Sequence, residues 1–163
     1  MDCKIDIIQP SAQRVVEIIS LVQKLEQESN FLKFGPEFKS SNQANLVAIL
    51  KMLPFNRRNL LLVAQVKQQF VGIITLNLTA ETNLSAELGI GVLQIFQNQQ
   101  IGSMLIDEAI QWFENYSKLN SIWLEVYQAN LKAIHLYRKY GFKTVSLGKN
   151  TIKMIKKATS KCD

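Results

Sequence analysis

The chain has 163 residues, of which 47% are hydrophobic and 20% are charged, so it has enough apolar side chain to bury a core. Seven Gly and three Pro, scattered along the chain, exclude collagen-like and proline-rich architectures. Its apolar runs are shorter than the roughly 18 residues that a membrane span needs. The first residues show neither the basic nor the apolar part of a signal peptide. The sequence therefore predicts one domain over residues 1–163 that is neither membrane-bound nor exported.

The two cysteines and the single histidine limit the kinds of disulfide and metal site that the chain can form. Cys3 and Cys162 lie at opposite ends of the chain, whereas a disulfide framework would place them inside the fold. This favours a reducing compartment, and the cytoplasm is predicted. His135 is the single histidine, so no structural zinc site is available and no metal is expected.

The net charge of +6 is unevenly placed. Residues 1–131 carry 10 Lys and Arg against 12 Asp and Glu, whereas residues 132–163 carry 9 against 1. Such a basic segment could contact nucleic acid or attract a polyanionic small ligand. A solvated lysine face that aids solubility is the commoner explanation.

Hydrophobic periodicity predicts a mixed α/β or α+β domain with one central sheet. A first strand over residues 4–8 is followed by two helices. One begins after Ser11 as N-cap and runs to about residue 29, and the other is capped by Asn42 and ended by Pro54. The later elements are strands at 60–66, 70–78 and 87–92, a helix at 101–116, a strand at 121–127, a helix at 130–140 and a closing hairpin at 144–147 and 151–155. The order is β-α-α-β-β-β-α-β-α-β-β.

Two neighbouring segments suggest a ligand site. Gly89 and Gly91 lie within one short strand, where glycines mark a bulge, sheet crowding or the close approach of a ligand. The polar loop 97–103 then opens the long helix, and free N–H groups at a helix start attract anions. A simple helix cap is the commoner explanation for such a loop.

A third segment, residues 124–142, carries polar groups in unusual places. Glu125 interrupts an apolar strand, and Glu is seldom buried without a partner or a task. Asn130 suits a helix N-cap, and Tyr137 falls close to the same helix face.

These segments together resemble the GCN5-related N-acetyltransferase (GNAT) superfamily. The later family motif, Asn-x-x-Ala-x-x-Leu-Tyr-x-x-x-Gly-Phe, is complete from Asn130 to Phe142. The central motif, a strand ending in Val followed by Arg/Gln-x-x-Gly-x-Gly/Ala, reads as Val92 and then residues 97–102, with Gln100 in place of the middle glycine. The resemblance implies a mixed, mostly antiparallel sheet of about seven strands with about four helices, and a cofactor-binding core at about 86–142.

The resemblance also implies acetyl-CoA as cosubstrate, without a metal. Residues Ile90, Gly91 and Val92 would pair with the pantetheine arm, and Asn130 would contact the cofactor from the other side. The pyrophosphate would lie in the loop formed by Gln97, Asn98, Gln99, Gln100, Ile101, Gly102 and Ser103. Gln100 is expected to weaken binding rather than abolish it, because backbone N–H groups make most contacts in such a loop.

The same resemblance assigns catalytic roles. Attack on a thioester needs a neutral amine, so a base must remove a proton. Glu125 is the first choice and Glu87 the second, and a structural hydrogen-bond acceptor is the alternative role for Glu125. Tyr137 matches the general acid that protonates the departing thiolate, and the Val92 N–H would meet the developing oxyanion.

The predicted function is acetyl transfer to a primary amine of a small molecule or a peptide N-terminus, by direct attack in a ternary complex. The alternative is a degenerate GNAT domain that binds CoA or a protein partner without catalysis. A nucleic-acid-binding module is disfavoured, because the lysine-rich end has few Arg or interleaved aromatic residues. Dimers are frequent in the family, so a homodimer is open. Phe31, Phe34 and Phe38 either line the acceptor site or fill the core.

Overall fold

The structure, a computed structural model, describes residues 3–32 and 34–159. Their helices and strands follow the predicted order, which is thereby confirmed. In chain order they are β1 (Ile5–Ile8), α1 (Val15–Glu28), α2 (Gln43–Met52), β2 (Leu60–Val66), β3 (Gln69–Ala80), β4 (Ser85–Val92), α3 (Ile101–Asn115), β5 (Ser121–Tyr127), α4 (Leu131–Lys139), β6 (Lys143–Leu147) and β7 (Thr151–Lys157).

The seven strands form one sheet in the order β1-β2-β3-β4-β5-β7-β6. Every neighbouring pair is antiparallel except β4 and β5, which run parallel. The predicted mixed, mostly antiparallel sheet is thus confirmed. Lys67 and Gln68 link β2 to β3 with φ angles of 48° and 66°, which match the twist that a two-residue hairpin requires.

The helices cover both faces of the sheet. A Cβ at Gly91 would lie 3.1 Å from Leu25 of α1, whereas a Cβ at Gly72 would lie 3.2 Å from Leu105 of α3. Gly72 pairs with Val92, the neighbour of Gly91, so the two glycines face opposite sides of the sheet. The core therefore has two apolar layers, with α1 on one face and α3 on the other.

The starts of the first two helices differ from the prediction in detail. Ser11 accepts a hydrogen bond from Gln13 N, as a cap should, but the turn it opens is a 3-10 turn that precedes α1. Asn42 is the N-cap residue of α2 as predicted, but its side chain makes no capping hydrogen bond. Its amide donates instead to the carbonyl of Pro36, because the preceding chain folds back against it.

The ends of α4 form as predicted. Asn130 Oδ1 accepts from the N–H of Ala133, which makes Asn130 the N-cap. Gly141 follows the helix with a φ of +93°, a conformation that glycine adopts without steric cost. The segment that carries the more specific motif is therefore fixed at both ends by its own sequence.

Two further observations concern location. Cys3 is exposed and unpaired, and Cys162 lies outside the described residues. Among residues 3–32 and 34–159, none of the helices has both the length and the apolar content that crossing a membrane would take.

Candidate active site

The centre of the sheet opens into a gap between β4 and β5. These strands pair over Ser85 to Glu87 and Ser121 to Trp123, and no further pairs join them in the described chain. The N–H of Leu93 donates to Val71, so alternate residues of β4 turn their backbone groups toward β3. The intervening residues, Ile90 and Val92, therefore turn theirs toward the gap. The predicted pantetheine segment is an exposed backbone edge.

The two glycines of β4 lie against α1 and the loop after it. A Cβ at Gly91 would meet the side chains of Leu25 and Leu32 at 3.1 Å. A Cβ at Gly89 would lie 3.0 Å from Thr75 Oγ1 and 3.6 Å from the Phe34 ring. Of the explanations left open by the sequence, sheet crowding is the one that these contacts favour.

The loop before α3 presents a row of free amides. Within the described chain, the backbone N–H groups of residues 98–103 have no hydrogen-bond acceptor. A Cβ at Gly102 would meet nothing within 4 Å, so space is open beside these amides. Gln97 has another task, because its Nε2 donates to the carbonyl of Val92 at 3.1 Å and ties the loop to the end of β4. The remaining loop can accept an anion.

Two residues of this loop have left-handed backbone angles. Asn98 has a φ of 63° and Gln100 a φ of 65°. Asn tolerates this region better than most residues, whereas Gln does not have that advantage. Gln100 stands where the family motif has glycine, and its backbone keeps the glycine-like conformation. The substitution therefore leaves a left-handed backbone conformation at this position of the loop.

A cation from α4 reaches the same loop. The Nζ of Lys132 donates to Asn98 Oδ1 at 2.5 Å, and the Tyr140 hydroxyl donates to the carbonyl of Ser103 at 3.3 Å. Residues 97–103 themselves contain no charged side chain. Lys132 was not among the predicted site residues, and the uncharged composition of the loop is the signal that could have directed attention to a cation elsewhere.

Tyr137 is buried in α4, with 8% of its surface exposed. Burial raises the pKa of its hydroxyl to about 12, so the phenol keeps its proton at neutral pH. Its ring packs edge-on against Phe142 at 5.8 Å. Its hydroxyl makes no hydrogen bond among the described residues. Since none of their fully enclosed side-chain oxygens lacks a partner, this hydroxyl oxygen keeps some exposure to solvent.

The two glutamates lie on one face of the sheet, at the closed end of the gap. Glu87 pairs directly with Trp123, and Glu125 is two residues further along β5, so all three side chains share a face. Lys153 pairs with Glu125, and its Nζ lies 4.4 Å from the centre of the Trp123 ring. Partial burial and the charge of Glu125 raise the pKa of Glu87, while Lys153 opposes the rise. Trp123 and Lys153 were not predicted from the sequence.

The three phenylalanines have different surroundings. Phe38 is buried in the core, and Phe34 packs edge-on against it at 5.8 Å. Phe31 is 55% exposed, and its ring centre lies 4.6 Å from that of Tyr127, the last residue of β5. Core packing therefore accounts for Phe38, whereas Phe31 forms an open aromatic wall beside the gap.

Comparison with known proteins places this geometry in a family. One curated relative, the L-amino acid N-acetyltransferase AaaT of Escherichia coli, is 33% identical over 90 residues, which are 54% of this chain and 56% of that protein. The match thus spans about half the length of each protein.

Solved structures share the whole fold at low sequence identity. PaiA N-acetyltransferase from Thermoplasma acidophilum, in complex with coenzyme A, has a TM-score of 0.74 at 21% identity, covering 94% of this chain and 99% of that one. A variant of the spermidine N-acetyltransferase SpeG from Vibrio cholerae has a TM-score of 0.70 at 19% identity, covering 94% and 93%. The family model described as "Acetyltransferase (GNAT) family" matches residues 21–142, three quarters of the chain. The chain therefore belongs to the GNAT family of acetyltransferases.

Proposed function

We propose that this protein transfers the acetyl group of acetyl-CoA to the primary amine of a small molecule or peptide N-terminus. The observation that carries the proposal is the gap between β4 and β5. It begins at the free amides of residues 98–103, follows the exposed edge of Ile90 and Val92, and closes at Glu87. An anion-binding loop, a backbone edge and a carboxylate thus lie in the order that a phosphate, a flexible arm and a reacting thioester require.

The described residues fit coenzyme A on two counts. The row of free N–H groups beside α3 matches the acceptor oxygens of a pyrophosphate. The open space at Gly102 lets a ligand approach the backbone. A solved member of the same fold is in complex with coenzyme A, which supports the assignment.

The chemistry that we propose for the chain has three parts. Acetyl-CoA supplies the acetyl group as a thioester. Glu87 removes a proton from the acceptor amine, so that its nitrogen lone pair attacks the carbonyl carbon. Val92, predicted for the oxyanion contact, is five residues or about 16 Å from Glu87 along β4. We therefore assign the contact to the N–H of Ile90, the nearer residue that turns its backbone toward the gap. Tyr137 donates its proton to the sulfur as the carbon–sulfur bond breaks and recovers one from the acylated nitrogen. This leaves a neutral N-acetylated amine and a thiol, with the first proton on Glu87.

Glu87 is preferred to Glu125 as the base for geometric reasons. Glu87 belongs to the last residue pair that joins β4 to β5, next to the exposed edge of β4. Glu125 lies further along β5, where the two strands diverge, and pairs with Lys153. The raised pKa of Glu87 also brings it closer to neutral pH, where a general base works best. Glu125 then acts on the reaction through its charge.

The names of the relatives bear on the acceptor. AaaT is named for L-amino acids and SpeG for spermidine, so both small zwitterions and polyamines are acceptors among proteins similar to this one. For this chain we propose a small amine that approaches the sheet face of Glu87 and Glu125, beside the aromatic wall of Phe31 and Tyr127.

The test combines binding and turnover. Acetyl-CoA at millimolar concentration should raise the melting temperature, since it binds the folded state alone. Thiol release should then appear when a panel of amines and peptides is added. A thermal shift without thiol release for any amine would favour the alternative, a CoA-binding domain without catalysis. No shift with either CoA or acetyl-CoA would overturn the proposal.

Location and assembly are part of the same proposal. An exposed, unpaired Cys3 agrees with a reducing compartment, and we place the protein in the cytoplasm as a single domain over residues 1–163. Cell fractionation tests the location. Light scattering on the purified chain tests whether it is a monomer or the homodimer that is frequent in the family.

A further inference from the structure

A depression of about 370 Å³ lies on the acceptor face of the sheet, between α2 and the ends of β2 and β3. Asn77 of β3 lines it and pairs directly with Glu87 of β4. Opposite residues of an antiparallel pair project to the same face, with Cα atoms about 5.5 Å apart in a hydrogen-bonded pair. The depression therefore begins one strand away from the carboxylate at the closed end of the gap.

The lining of this depression is mainly apolar. Phe38, Leu46, Ile49 and Leu53 contribute aromatic and aliphatic surface, and its volume lies within the usual range for small-molecule sites. Glu37, from the loop before α2, is its charged lining residue. Among the described residues that line it, there is no Lys or Arg.

The charges around the depression discriminate between acceptor classes. Glu37 lies in its lining and Glu87 beside it, and both attract a cation. Lys153, whose charge acts on Glu87, faces Glu125 and the Trp123 ring and does not line the depression. A ligand carboxylate held among the lining residues would therefore lose its hydration without an opposing charge there, which is costly. An amine on an apolar body suits the depression, whereas a free amino acid does not.

We infer that this depression holds the body of the acceptor, and that the acceptor is a primary amine on an apolar body without a carboxylate. This inference rests on the proposed function. The amine lies at Glu87, and the apolar body crosses Asn77 and packs between α2 and the sheet. The acceptor class therefore differs from that named for the amino-acid acetyltransferase relative.

The first experiment uses acceptors that differ by one group. Phenethylamine is compared with phenylalanine, and tyramine with tyrosine, by thiol release at saturating acetyl-CoA. Each amine should have a kcat/KM about tenfold or more above that of its amino acid, since the carboxylate is left unpaired. Equal values, or a preference for the amino acids, would overturn the acceptor class.

The second experiment fills the depression. Ala48 lines it from an exposed position on α2, so Ala48→Trp adds bulk without disturbing the core. KM for phenethylamine should rise about tenfold, while the affinity for acetyl-CoA stays the same. Ala44→Trp is the matched control, because Ala44 is exposed on the same helix and does not line the depression.

A binding measurement separates this inference from the proposed function. Calorimetry with phenethylamine and CoA needs no turnover. Binding to the native chain and to Ala44→Trp, with loss in Ala48→Trp, would support the depression as a binding site even if no acetyl group is transferred. Equal binding to all three chains, or no binding to any, would overturn the inference whether or not acetyl-CoA binds.

Discussion

The two sides of the gap between β4 and β5 are built differently. On the side that we propose for the cofactor, the free groups are backbone atoms, namely the amides of residues 98–103 and the edge at Ile90 and Val92. On the side that we propose for the acceptor, they are side chains that come from separate elements, including Glu87, Asn77 and Phe31. A backbone site needs particular residues at fixed spacing, whereas a side-chain site can change one residue at a time. The first can therefore be read from a motif and the second cannot.

The largest expected effect tests Tyr137, where the cofactor side meets the chemistry. Tyr137→Phe removes one hydroxyl and keeps the ring that packs on Phe142. Turnover should fall by about 10²-fold or more, the usual scale for losing an acid catalyst, while acetyl-CoA affinity and melting temperature hold. Steady-state kinetics with an identified acceptor measure it. Weaker acetyl-CoA binding at unchanged turnover would make Tyr137 a binding residue instead.

The next effect separates the two glutamates on the acceptor side. Glu87→Gln should lower turnover by about 10²-fold, because the base is lost. Glu125→Gln should keep most activity and move the acidic limb of the pH–rate profile to lower pH. The charge of Glu125 raises the pKa of Glu87, so its removal lowers that pKa and the base stays deprotonated in more acidic solution.

The pH–rate profiles of both variants check this assignment. If Glu125→Gln is the inactive variant and Glu87→Gln the active one, the roles of the two residues are exchanged. Glu108→Gln, on the exposed side of α3, is the control for removing one carboxylate.

A smaller effect concerns Lys132, whose charged side chain contacts the uncharged loop 97–103. Lys132→Gln should weaken acetyl-CoA binding by about tenfold to 10²-fold, because a charge-assisted contact with a phosphate contributes about 1.5–3 kcal/mol. The dependence of affinity on salt should also weaken. Arg138→Gln removes the same charge from another side of α4 and should leave the affinity nearly unchanged.

Repeating the titration with 3′-dephospho-CoA shows which phosphate Lys132 contacts. If the loss between native chain and variant disappears with this ligand, the contact is to the 3′-phosphate. If it persists, the contact is to the pyrophosphate. Equal affinities of native and Lys132→Gln chains for CoA would remove Lys132 from the site.

The smallest effect concerns Gln100. Its φ of 65° is costly for a residue with a Cβ, so Gln100→Gly should stabilise the fold by about 1 kcal/mol and raise Tm by about 2–4 °C. It should also tighten acetyl-CoA binding if the side chain crowds the pyrophosphate. Gln99→Gly is the control, since Gln99 lacks a positive φ and should lose stability. Weaker binding in Gln100→Gly would make the Gln100 amide a contact in its own right.

The sequence predicted the order of helices and strands, and it suggested which backbone segments form the candidate site. The strand at residues 121–127 and the N-cap at Asn130 follow from local patterns, because alternation and capping are local properties. The pairing between β4 and β5 ends at Glu87 and Trp123. Where it ends depends on how two strands that are distant in sequence diverge, and no local pattern encodes that. The contact between Lys132 and Asn98 joins residues 34 positions apart, so it needed the folded chain.

The short pairing between β4 and β5 also makes this part of the sheet easier to deform than the rest. Strands β1–β4 and strands β5–β7 are two ribbons that share three residue pairs in the described chain. Such a joint bends more easily than a fully paired one, and the amides of Ile90 and Val92 should exchange with solvent early. A ligand that pairs with this edge would connect the two ribbons and stiffen the joint between them. The elasticity of the sheet thereby becomes part of how the protein takes up and releases its cofactor.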